Sequence, residues 1–146
     1  MGYKYELTDE TRYGLKRLKI TTDNDETLGG FVNRLDNVLD NAEVLGSAMV
    51  YGNALVTDYA QVYSNAQVTG NARITDDAMV SDNAEVLGNA EVYGEAMVYG
   101  NARVYGNAMV CDDARVSGYA MVSGNAQVYG NWKRRGIWRS YGIWQR

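Results

Sequence analysis

Histidine and proline are both absent from this chain, and cysteine and phenylalanine occur once each. Without histidine there is no imidazole to ligate a metal or to serve as a general base near neutral pH, so His/Cys metal clusters are excluded by inventory. The single thiol, Cys111, has no partner for an intramolecular disulfide, which agrees with a reducing compartment. Long apolar runs are missing as well. None approaches the roughly 18 residues of a membrane-spanning helix, and the opening Met-Gly-Tyr-Lys-Tyr-Glu lacks the apolar core of a signal peptide. A soluble, cytoplasmic protein with no membrane span and no cofactor is the expectation.

What the chain has in excess is glycine, at 16 of 146 residues, and tyrosine, at 12. Its net charge of −4 is unevenly spread. Residues 1–29 carry six acids and five bases, residues 30–131 twelve acids and four bases, and residues 132–146 five bases and no acid. An acidic body argues against nucleic-acid binding by that body, because phosphate contacts come largely from Lys and Arg. The basic tail is left open to it.

Periodicity settles the organisation. Alanine occupies every sixth position from Ala42 to Ala126, and two residues after each comes valine, from Val44 to Val128, with Ile74 the one substitute. The frame extends backward through Asp36/Val38 and Gly30/Val32, so seventeen hexads fill residues 30–131 without an insertion. Each hexad reads as four alternating residues followed by two of turn type, which predicts a four-residue strand and then a corner. Alternation sends Ala and Val to one side and mixed residues such as Glu43, Gln61, Arg73 and Glu91 to the other, so the small aliphatic side is the interior. Glycine and asparagine tolerate left-handed backbone, which suits Gly52-Asn53, Gly70-Asn71 and Gly88-Asn89 to tight corners. A strand this short cannot pair with its successor across a corner that does not reverse the chain. It pairs with the strand one coil away, and three hexads per coil give an all-β, single-domain, three-sided parallel β-helix. The domains expected are an N-terminal cap over 1–29, with strands at Tyr3–Leu7 and Leu15–Ile20, the hexapeptide-repeat β-helix over 30–131, and a basic aromatic tail over 132–146.

The Ala-x-Val-x-Gly-Asn hexads resemble the hexapeptide repeats of left-handed parallel β-helix proteins, a group that includes many acyltransferases. Left-handed coiling is what that resemblance implies. Glu6-Leu7-Thr8 with Glu10-Thr11-Arg12, then Leu28-Gly29-Gly30-Phe31-Val32 entering the repeats, resembles more narrowly the YdcK-like bacterial and phage proteins classed as transferases. The relatives commonly form homotrimers, so the resemblance implies a trimer. Acyltransferases of this fold use a histidine as general base and extend loops over the substrate. Here the histidine and the loops are both missing, so the chain is read as leaning away from an enzyme, with no catalytic residue. Cys111 lies beside Asp112 and Asp113, whose charges should raise its pKa and weaken it as a nucleophile.

Stacked in 18-residue coils, the corners sort by type. One edge collects the Gly-Asn pairs as an asparagine ladder. Another collects Asp40, Asp58, Asp76, Asp77, Glu95, Asp112 and Asp113. That acidic edge reads first as turn chemistry and second as a negative stripe for cations, a basic protein partner or a nucleic-acid-binding protein. Tyr93, Met97, Tyr99, Tyr105 and Met109, with Trp132, Trp138 and Trp144 of the tail, form the candidate oligomer or partner surface. The tail is read as a cap or oligomer clasp, with a strip for nucleic acid or membrane as its second reading. The function expected is a non-catalytic binding or scaffold protein, including a phage-encoded inhibitor of a host protein. An acyltransferase-like enzyme lacking the usual histidine is the alternative.

Overall fold

The structure is a computed structural model that describes residues 2–130. The tail with Trp132, Trp138 and Trp144 lies outside the described residues. Three long strands open the chain: β1 (Lys4–Arg12), β2 (Leu15–Thr21) and β3 (Glu26–Val32). They form an antiparallel meander that turns at Tyr13-Gly14, both with positive φ. Fifteen short strands follow, from β4 (Glu43–Val44) to β18 (Gln127–Tyr129). They stack as three parallel sheets, and successive strands of each sheet are 18 residues apart, as in Met79 beside Met97 and Glu85 beside Arg103. This is a β-solenoid of about six turns whose three sheets fit a three-sided prism. β3 joins the meander to the prism, pairing Phe31 with Met49 and Val32 with Val50, so one sheet runs from the N-terminal strands to the last coil.

The alanine and valine positions from Ala42 to Val128 are all buried, and together with Ile74 they fill the interior. Each buried valine contributes on the order of 1.5 kcal/mol before chain entropy is subtracted. The strands are shorter than the four residues that alternation predicts, because most keep two residues in the ladder. Alanine belongs to the corner instead. Its N–H donates to the carbonyl three residues back, as in Ala60 to Thr57 at 3.2 Å and Ala78 to Thr75 at 3.2 Å. The second residue of each such turn has φ near +60°, occupied by glycine or by Asp40, Asp58, Ser64, Asp76, Asp82 and Asp112.

A second departure lies in the first coil. Strict alternation would place Asp36 inside and Asn37 outside, but Leu35–Asn37 form a 3-10 turn, Asp36 is exposed and Asn37 is 1% exposed. Further down, a residue at this position donates its backbone N–H to the alanine carbonyl seventeen residues on, as Gln61 does to Ala78. The N–H of Asn37 is used by the 3-10 turn, bonding Arg34. Its side-chain Nδ2 takes over and donates to the Ala54 carbonyl at 2.8 Å. The amide thus replaces a ladder bond that the incomplete coil cannot make, which keeps a buried carbonyl satisfied. Tyr3 and Tyr5 do the same on a neighbouring side. The Tyr3 N–H donates to the Asp40 carbonyl at 2.9 Å, and the Tyr5 hydroxyl to that of Ala42 at 2.6 Å. Burial is the main cause that pushes the Tyr5 phenol well above its ordinary pKa, so it stays protonated and able to donate. The N-terminal end of the prism therefore has no bare strand edge on these sides.

Candidate functional site

The coil frame brings the acidic residues together as expected. Asp58, Asp76, Asp77, Glu95, Asp112 and Asp113 line one open groove with Tyr59, Gly94, Tyr129 and Gly130. Asp40 lies one level above Asp58, outside this lining, and accepts a hydrogen bond from the Thr57 hydroxyl at 2.6 Å.

Within the groove the acids divide into two groups. In the left-handed corner conformation the N–H of the second turn residue lies outside the regular ladder. The Asp58 carboxylate accepts that N–H from Asp76 at 3.2 Å, and the Asp76 carboxylate accepts it from Gly94 at 3.0 Å. Asp82 does the same for Gly100 on another edge, at 3.0 Å. These aspartates are corner residues with a hydrogen-bonding task that repeats every 18 residues. Asp77, Glu95 and Asp113 sit at the next position, where the backbone is already in the ladder, as in Asp77 N–H to Gly94 and Glu95 N–H to Asp112. Their side chains are exposed, and among the described residues none of the three is in an ion pair or side-chain hydrogen bond. Nor does any group of three or more Cys, Asp or Glu among the described residues assemble to hold a metal ion.

Two tyrosines join the acids: Tyr59, 64% exposed, and Tyr129, 58% exposed. Neither belongs to the surface expected from sequence. The coil frame held the signal, since Tyr59 follows Asp58 at the corner and Tyr129 stands one coil after Cys111. By contrast, Tyr93, Met97, Tyr99, Tyr105 and Met109 are half-buried, and the tyrosines sit at three different corners. The stacking explains it. Ser81 lies between Tyr63 and Tyr99 in its column and is buried, so in that column large and small side chains alternate and cover one another. Met79 and Met97 do stack in register on one sheet.

Cys111 is half-buried beside Tyr93. Burial is the first cause that pushes its thiol up, the charge of Asp112 adds to it, and hydrogen bonding with Tyr93 opposes it. The direction agrees with the sequence expectation, but desolvation outweighs the neighbouring charge. A thiol held protonated is a poor nucleophile.

The repeat itself identifies the class of chain. A family model described as YdcK Beta solenoid repeat matches residues 48–64, 96–112 and 102–118. Its stacked parallel sheets make the chain a β-solenoid, and over those residues its repeat is similar to the YdcK type. No curated protein and no solved structure matches it. No helix among the described residues is long and apolar enough to cross a membrane.

Proposed function

We propose that this protein is a non-catalytic binding protein whose acidic groove engages a basic surface of a protein partner. The supporting observation is the division among the acids. Asp58 and Asp76 serve the fold, while Asp77, Glu95 and Asp113 are spaced one coil apart beside exposed tyrosines with no task in the ladder. Carboxylates stacked about 4.8 Å per level repel one another, a cost that a cationic partner offsets. Tyr59 and Tyr129 add faces on which Arg or Lys side chains can lie. Regular corners that, among the described residues, leave no loop over the groove, and a thiol held protonated, weigh against the acyltransferase alternative.

The test is a full-length Asp77→Asn, Glu95→Gln, Asp113→Asn variant, titrated calorimetrically with an oligo-arginine peptide at low and moderate salt. We expect affinity to fall about tenfold or more at low salt, with the difference shrinking as salt screens the charges, and thermal stability to hold or rise slightly. Equal affinity for both proteins, with the fold intact by circular dichroism, leaves the groove as turn chemistry and overturns the proposal. Turnover of acetyl-coenzyme A with an amine or hydroxyl acceptor would establish the enzymatic alternative.

A further inference from the structure

We draw no further inference here: the strongest candidate, the surface patch on the outward side of the five-stranded sheet where Met79 stacks on Met97 beside the half-buried Tyr63 and Tyr99, carries none, because nothing in the structure shows what covers it.

Discussion

At the Gly-Asn corner the left-handed position is held by Gly52, Gly70, Gly88, Gly106 and Gly124. At the acidic corner it is held by Asp40, Asp58, Asp76 and Asp112, with Gly94 among them, and φ is near +60° to +70° at both. The hydrogen bonds nevertheless run through different groups. Beside the glycines, each asparagine amide donates to the next, Asn53 to Asn71 at 3.2 Å, Asn71 to Asn89 and Asn89 to Asn107 at 3.1 Å, and Arg34 donates to the free oxygen at the N-terminal end at 2.8 Å. A carboxylate only accepts, so the aspartates cannot form such a chain and bond instead to the backbone N–H of the following coil. The uncharged ladder shows that this corner conformation does not require charge. Acid at Asp77, Glu95 and Asp113 is surplus to the fold, which is why the proposed function rests on those three.

The comparison breaks most severely where backbone, not side chain, is at stake. Gly70 has φ +68°, and a Cβ there would sit 2.8 Å from the Gly88 nitrogen. Gly70→Val combines left-handed strain with that close approach and should lower stability by about 3 kcal/mol, at the top of the range for strained backbone. Asp76→Gly at the equivalent position of the acidic corner exchanges one hydrogen bond for relief of strain and should stay within about 1 kcal/mol. Chemical denaturation of both variants checks the ranking, and equal losses would show that the two corners do not share a backbone.

A finer contrast comes from side chains alone. Asn89 both donates to Asn107 and accepts from Asn71, so Asn89→Ala removes two solvent-exposed bonds and should cost about 1 kcal/mol. Asp76→Asn keeps an oxygen to accept the Gly94 N–H and removes a negative charge from a crowded edge, so its thermal midpoint should equal or exceed that of the parent. A drop for Asp76→Asn as large as that for Asn89→Ala would mean that the charge itself holds the corner.

The interior was legible because alanine and valine repeat without a slip over fifteen hexads, and period-2 alternation then leaves no choice of face. The sorting of corners followed from folding that string at 18 residues. Strand length did not, since the alanine N–H looks in sequence like a strand donor and in three dimensions closes a turn. Asn37 was hidden for a related reason: alternation describes a coil with neighbours on both sides, and the first coil has only one. The half-burial of Tyr93, Tyr99 and Tyr105 was not legible, because it depends on the side chains above and below each of them in the stack. Asp58 and Asp76 read first as turn residues, but the group their carboxylates bond, the spare N–H of the next corner, is visible only in three dimensions.

The smallest expected effect distinguishes the environments flanking the acidic corner. Hydrogen bonding with Cys111, one coil on, is the first cause that pushes the Tyr93 phenol up to about 12 from an ordinary value near 10.0, with burial and the charges of Cys111, Glu91 and Asp112 adding to it. The folded state thus holds this proton more tightly than the unfolded chain. The resulting contribution to stability is fully present below the unfolded pKa and is lost as pH rises from about 10 through about 12. Cys111→Ala removes the leading cause and should bring the Tyr93 titration down toward 10.0, flattening the alkaline loss of stability across that window. Ring-carbon NMR of labelled tyrosine, with Tyr93→Phe to assign the signal, measures the titration directly. If Tyr93 titrates near 10.0 in the intact protein, or is unmoved by Cys111→Ala, the pairing across the coil does not hold the proton and the acidic neighbours must be weighed in its place.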